Sequence, residues 1–380
     1  MTPTEQRILD RIDDVASRLI ELSHALHADP ELAYQEVRSA VRCADLLETG
    51  GFDVERGAYA LPTSFAARTG SDGTHLVVCA EYDALPGVGH ACGHHVIAAA
   101  AVGTGLGLLP VAERVGLRVT VLGTPAQEAG GGKVDLILAG AFEGVDAAMM
   151  MHPAAWDAPG ESGLAIEEWS VVAHGKASHA SSDPSLGRNA LDSIVAGYTA
   201  VSMLRQHLRT HQQVHGIITH GGDAPNVVPE RAEAAYYLRA IDMDSLEDLR
   251  HRVRACMEGA AIATGTTVAI TRIGHAYEPV RQNPALVAEF GRACETIGRP
   301  LTLDPAGPSL SGSTDFGNVS QLVPALHADM GVHSWPAVNH QREFAAHCVG
   351  PAGDKTLVEG AKAMALTAVA YAADPDLVHR

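Results

Sequence analysis

Two glycine-rich stretches of this chain carry side chains suited to holding a metal ion. The first, EYDALPGVGHACGHH, spans residues 81–95 and places Cys92 and His94 one glycine apart at the mouth of an apolar helix. That spacing lets both side chains turn toward one point. A helix N-terminus lowers a thiol's pKa, and a metal lowers it further. The second stretch, GTPAQEAGGGK, residues 123–133, sets Glu128 in a loop after an apolar strand. Thiolate, imidazole and carboxylate together suit zinc or a similar divalent ion. A lone Cys-x-His pair is weak, because such pairs near helix starts more often take no part in chemistry. Two more histidines strengthen the reading. His152 closes the apolar run AAMMMHP, and His347 lies in EFAAHCVG, just before the last helix.

These side chains need a scaffold to bring them together. Residues 4–27 read as an amphipathic helix, with Ile8, Ile12, Val15 and Leu19 at helical spacing and Thr4 able to cap it. A second helix is expected over 36–50. Apolar strands at 74–80, 117–122 and 147–151 alternate with helical stretches at 96–109 and 132–139. Such alternation indicates an α/β domain with a parallel or mixed sheet, whose site lies at the carboxyl ends of the strands. Asp83, Glu128 and His152 each fall just past an expected strand end. The middle of the chain has another rhythm: strand 169–173, helix 187–208, strands 214–219 and 232–239, helix 245–263, strand 267–273. This is the β-α-β-β-α-β, ferredoxin-like order. The expected domains are therefore 1–166 with 278–380, closed by a helix at 352–373, and an inserted unit at 167–277.

Bulk properties narrow the class. The chain has 380 residues, 46% apolar and 19% charged, as a folded protein with one large and one smaller domain would have. Aromatic residues make up only 4%, so the core must pack small aliphatic side chains. A net charge of -18 argues against nucleic acid and anionic membranes as partners. The six cysteines are scattered rather than clustered as in a disulfide scaffold. No secretory signal precedes the first helix and no apolar run is long enough to span a bilayer, so a cytoplasmic location is expected.

Taken in order, HALHADPELAYQE, AEYDALPGVGHACGHH, GTPAQEAGGGK, AAMMMHP, HGKASHA, GRNALD, HGGDAPNVVPERAEAAYYLRA, GSTDFGNVSQLVP and AAHCVG cover residues 24–350. This series resembles the M20 metallopeptidase and amidohydrolase family. The branch it is similar to contains auxin-conjugate hydrolases, N-acyl-amino-acid amidohydrolases and aminobenzoyl-glutamate hydrolase. The resemblance implies an α/β, mixed-sheet, zinc-peptidase-like catalytic domain with an inserted ferredoxin-like lid that supports a homodimer. It implies two divalent metal ions, with zinc favoured by the thiolate and manganese or cobalt compatible. Cys92 would bridge them, His94 and His152 would hold one, and Glu128 and His347 the other. His179 would polarise the scissile carbonyl, Asn226 and Arg239 would hold polar groups of the substrate, and Asp83 would orient a ligand or the base. The implied reaction is hydrolysis of a linear amide in a small N-acyl or aminoacyl amino acid. Residues 174–185 and 307–318 are expected to line the pocket.

One position departs from the pattern. The family signature reads Pro-Ala-Glu-Glu, the first Glu being the general base and the second a ligand. Here it reads Pro125-Ala126-Gln127-Glu128. An amide keeps the shape but cannot shuttle protons, and loss of a general base costs about 10²- to 10⁴-fold. Three accounts stand open at this point. An ordinary hydrolase has been inactivated by an engineered Glu→Gln change, a natural variant uses another group such as Asp83 or His95 to take the proton, or the chain is a natural non-catalytic binder of acyl amino acids. Hydrolytic deamination by the same metal-bound water is a further alternative.

Overall fold

The apolar stripe at the start of the chain folds as α1 (Pro3–Ala28), with Ile8, Ile12, Val15 and Leu19 buried. Its cap is Thr2, not Thr4. The Thr2 hydroxyl accepts from the Glu5 N–H, and the Glu5 carboxylate accepts in return from the Thr2 N–H. Pro3 takes the first helical position, where its missing N–H costs nothing, so the helix starts earlier than its apolar spacing suggests. There follow α2 (Val37–Gly50), β1 (Asp53–Arg56), β2 (Phe65–Thr69), β3 (Thr74–Ala80), α3 (His94–Leu108), β4 (Leu117–Gly123), α4 (Gly132–Leu138) and β5 (Ala147–Ala154). Next come β6 (Ala165–His174), α5 (Ala190–Leu204), β7 (Gln213–His220), β8 (Arg231–Ala240), α6 (Met243–Thr264) and β9 (Thr267–Tyr277). The chain closes with α7 (Pro284–Thr296), α8 (Phe316–Leu322), β10 (Ala325–Gly331), α9 (Arg342–Cys348) and α10 (Pro351–Ala373). This computed structural model describes residues 1–160, 162–301, 312–374 and 377, so part of the 307–318 stretch lies outside the described residues. The chain divides into two units, Met1–Ser162 with Val280–Arg380, and Gly163–Pro279.

In the first unit, the described strands form a mixed sheet in the order β1-β2-β4-β3-β5-β10. The β3–β4, β3–β5 and β5–β10 pairs are parallel, while β1–β2 and β2–β4 are antiparallel. The carboxyl ends of β3, β4, β5 and β10 therefore share one edge, and the loops leaving them converge. β5 runs on past Met151 to Ala154, so His152 sits inside the strand rather than beyond it. All fifteen residues of α3 are buried, as expected of a helix that is apolar all round. It packs against α1, α10 and the sheet. Its glycines permit this. A Cβ on Gly103 would lie 2.7 Å from Leu19, and one on Gly107 would lie 2.7 Å from Ile12.

The second unit is a four-stranded antiparallel sheet, β7-β8-β6-β9, with α5 and α6 on it. β6 alternates buried and half-buried residues along its length, the mark of a sheet covered on one face. Its core joins Trp169, Val171, Ile194, Tyr236, Leu238 and Leu249. α5 is shorter than expected. Asn189 caps it by accepting from the Leu191 and Asp192 N–H groups, and separate 3-10 turns, Pro184–Leu186 and Arg205–His207, flank it. Among the described residues, no helix is long and apolar enough to cross a membrane.

Candidate metal centre

The loop after β3 delivers Cys92 and His94. Gly93 between them adopts φ 79°, and a Cβ there would lie 2.5 Å from Pro153, so glycine is required on both counts. Asp83, from the same loop, orients the set. One of its oxygens lies 2.9 Å from His94 Nδ1, and the other accepts the Glu128 N–H at 2.9 Å. A single carboxylate thus ties two strand-end loops together and directs His94 Nε2 away from itself. That Nε2 and Glu128 Oε1 are both buried and lack a hydrogen-bond partner. His152 is held the same way, its Nδ1 donating to the Pro153 carbonyl at 2.9 Å while its Nε2 lies 3.6 Å from Cys92 Sγ.

Among the described residues, two groups of three donors have ligand atoms all within 4.8 Å of one another: Cys92, His94 and His152, and Cys92, Glu128 and His340. Cys92 belongs to both. Within the groups, the Cys92–His152 pair stands at 3.6 Å and the His340–Glu128 pair at 3.7 Å. A tetrahedral ion with bonds of about 2.0–2.3 Å separates its donors by about 3.3–3.8 Å. The donors are thus spaced to bind an ion rather than one another.

The second group contains His340, not His347. His347 is exposed in the last turn of α9. His340 lies in the loop after β10, held at φ 73° with its N–H donating to the Ala91 carbonyl at 2.7 Å. That bond places it beside the Cys92 loop. No periodicity in the sequence marks this residue, since only the pairing of β10 with β5 brings it near. Asn339, also unmarked in the sequence, donates to the Pro153 carbonyl at 3.1 Å and lies 3.8 Å from Cys92 Sγ.

The electrostatics of the centre call for positive charge. Burial pushes the Cys92 thiol up to about 12, and Glu128 adds to the shift. Burial likewise raises Glu128. Burial and the neighbouring His327 hold His152 well below the usual histidine range. His94 goes the other way. Burial opposes its charged form, but Asp83, Cys92 and Glu81 outweigh that and raise it well above the usual range. A divalent ion in this place would favour thiolate, carboxylate and neutral imidazole together.

The second loop is braced from behind. Ala126 adopts φ 60°, unusual for a residue with a Cβ, and its N–H donates to the buried Glu36 carboxylate at 2.8 Å. Burial and Asp83 push Glu36 up to about 7. Gln127 Nε2 lies 3.4 Å from the Ser313 carbonyl. Lys133 is fully buried, its ammonium 2.5 Å from Glu81 Oε1 and 2.6 Å from Asp315 Oδ1. His95, a candidate proton acceptor on its sequence position, is buried among His27 and His90, with its Nδ1 2.7 Å from the Ser23 hydroxyl.

The remaining sequence candidates lie in the second unit. His179 is exposed, and its Nδ1 accepts the N–H groups of Ser181 and Ser182, both at 3.2 Å, which places the ring proton on Nε2. A bridge between His179 and Val227 sets the neighbouring Asn226 alongside, and the Asn226 carbonyl accepts the Ala180 N–H at 3.0 Å. Arg239 is half-buried on β8, its guanidinium 5.9 Å from the centre of the Tyr237 ring.

Thiolate, imidazole and carboxylate donors on the strand-end loops of a mixed sheet, in a chain with a separate antiparallel unit, define the class of α/β metal-dependent hydrolases. Residues 165–265 match the peptidase dimerisation domain of the M20 peptidases. The chain is 38% identical to the mouse Xaa-Arg dipeptidase, over 98% of its own length and 90% of the relative's. It is 34% identical to one of the polypeptides of p-aminobenzoyl-glutamate hydrolase from Escherichia coli, over 68% of its length and 58% of the relative's. Its fold matches a dinuclear metal-binding M20 peptidase of Bacillus subtilis, with TM-score 0.71, 22% identity and coverage of 95% and 99%. It also matches an aminobenzoyl-glutamate utilization protein of Klebsiella pneumoniae, with TM-score 0.73, 19% identity and coverage of 94% and 97%. The chain belongs to the M20 family, and it is an enzyme of that metal-dependent amidohydrolase and peptidase type.

Proposed function

We propose that this chain hydrolyses the linear amide of an aminoacyl or N-acyl amino acid, using two divalent ions that share Cys92. The observation that carries the reading is the pair of donor groups meeting at Cys92, with His94 Nε2 and Glu128 Oε1 buried and unpaired. Cys92, His94 and His152 would hold one ion, and Cys92, Glu128 and His340 the other. The names of the dipeptidase and of the dinuclear peptidase support both substrate class and ion number. Thiolate among the donors favours zinc. When bound, such ions acidify a water and polarise the scissile carbonyl.

The chain's own residues supply the rest. Asp83 fixes His94 and the Glu128 backbone, so the ligands need little rearrangement on loading. His179 presents Nε2–H, a donor suited to the carbonyl oxygen as charge develops on it. Arg239 and Asn226 are suited to the substrate carboxylate and amide. Gln127 stands where the family's base stands, and its amide cannot take the water's proton, so this form turns over slowly. The dimerisation-domain match, together with the edge position of β7 and its exposed Ile217 and Ile218, supports a homodimer built through the second unit.

Metal analysis and one substitution test this reading. Purified protein should hold about two divalent ions per chain. Gln127→Glu should raise release of the free amino acid from Xaa-Arg dipeptides and N-acyl amino acids by about 10²- to 10⁴-fold. Equal rates in both forms would reject the base assignment. Metal and substrate binding without hydrolysis in either form would make the chain a binder. Release of ammonia would make it a deaminase.

A further inference from the structure

The motif HALHADPELAYQE, residues 24–36, supplies none of the residues in the two donor groups. Its last part, residues 31–36, lies between α1 and α2 and touches both loops that do supply them. The Glu31 carbonyl accepts the Ala84 N–H at 2.8 Å, next to Asp83. The Glu31 carboxylate is tied to the start of α2, accepting the Ser39 N–H at 2.8 Å and the Ser39 hydroxyl at 2.9 Å. Tyr34 lies against the second loop. Its hydroxyl donates to Asp135 on α4 at 2.7 Å, and a Cβ on Gly130 would collide with its ring. Glu36 is fully buried and accepts the Ala126 N–H at 2.8 Å.

Ala126 is the point on which the second loop turns. It adopts φ 60°, and a residue with a Cβ holds that conformation only where its surroundings over-determine it. Glu36 takes its N–H, and its carbonyl accepts the Gly131 N–H at 3.0 Å, closing the loop on itself. Two residues on, the Glu128 N–H goes to Asp83 at 2.9 Å. Gln127 and Glu128 therefore ride on a short span pinned by a carboxylate at each end. Without Glu36, the Ala126 N–H loses its acceptor in a buried place, and the turn must relax to find another. A change of φ at Ala126 swings the Glu128 side chain with it.

We propose that Glu36 is a positioning residue for the ion shared by Cys92, Glu128 and His340, acting through the Ala126 turn, and that residues 31–36 are a strap holding the two ligand-bearing loops in register. This role rests on the metal-centre reading of Cys92 and its neighbours. It also separates the two ions. His94 and His152 have supports of their own in Asp83 and the Pro153 carbonyl, so the loss of Glu36 is felt at Glu128.

The test uses the full chain, stripped with a chelator and titrated with Zn(II) alone. The binding step that belongs to Glu128 is the one that His340→Ala removes. Glu36→Ala should weaken that step by about tenfold or more and leave the other unchanged. Glu36→Gln keeps an acceptor oxygen at the same reach and should restore the step. A purely structural residue would instead lower the melting temperature of the metal-free protein without favouring one ion over the other. Should Glu36→Ala fail to fold, Glu36→Asp draws the carboxylate back from the Ala126 N–H and should weaken the same step. If the Glu128 step is unchanged in whichever variant folds, or both steps weaken alike, the proposal is overturned and the metal-centre reading stands without it. If the unmodified chain binds no metal, or His340→Ala removes no step, both fall.

Discussion

The two donor groups that meet at the Cys92 sulfur, the two halves of the candidate centre, are built differently. The half with His94 and His152 is closed. His94 is fully buried, both imidazoles have their far nitrogens engaged, and the strand and helix that carry them belong to the core. The half with His340 is open. Its imidazole is 60% exposed and comes from a loop, and its partner Glu128 is 10% exposed. Preorganisation holds an ion when its ligands lose little freedom on binding. The closed half should therefore bind first and release last, and the open half should exchange with solvent metal.

The shared sulfur gives the largest way to break this comparison. Cys92→Ala should abolish both sites together, so metal content falls from about two ions per chain to near none after dialysis. Retention of one tight ion would show that the halves are independent. Next in size, His340→Ala should cost one ion and spare the other, while His152→Ala should weaken the tighter step, as read by competition with a chromogenic chelator. If the two variants behaved alike, the distinction would be lost. Asp83→Asn acts more gently, removing the charge that orients His94 and the Glu128 backbone. It should weaken metal binding by about 10- to 100-fold without losing the fold, which circular dichroism would verify.

Acid gives the smallest effect. Burial lowers His327, which stacks on His152, to about 4, and lowers His90 to about 3. Their folded pKa values lie below the unfolded one of about 6.5, so the unfolded state binds more protons as pH falls. Stability is then fully present above about 6.5 and is lost progressively toward the folded values. The metal-free protein should lose roughly 1 kcal/mol per such histidine between pH 7 and 5.5, seen as a lower urea midpoint. A midpoint independent of pH would mean these rings are not held neutral.

The closed half is also the more legible in the sequence. Cys92 and His94 stand in a glycine-rich loop after a continuous apolar run, and buried parallel strands produce such runs; in the open half only Glu128 is marked in this way. His152 is legible the same way, although its strand extends beyond it. β10 is not, because His327 and Asp329 interrupt its apolar pattern, yet all seven of its residues are buried. Without β10 nothing points to His340, and the motif around His347 draws the assignment to a histidine that lies outside both donor groups. Likewise, β1 and β2 are short and sit at the antiparallel margin of the sheet, where alternation is weak.

The tight seating of α3 carries a consequence for which substitutions this protein can tolerate. His94 opens the helix, and Gly107, pressed against Ile12, lies near its other end, about 20 Å away at 1.5 Å per residue. A methyl group added at Gly107 meets the Ile12 side chain, which must give way or push the helix along or away from α1. Where the helix gives way, the imidazole moves with it. Drift at a site that never approaches the substrate would then register as altered metal affinity.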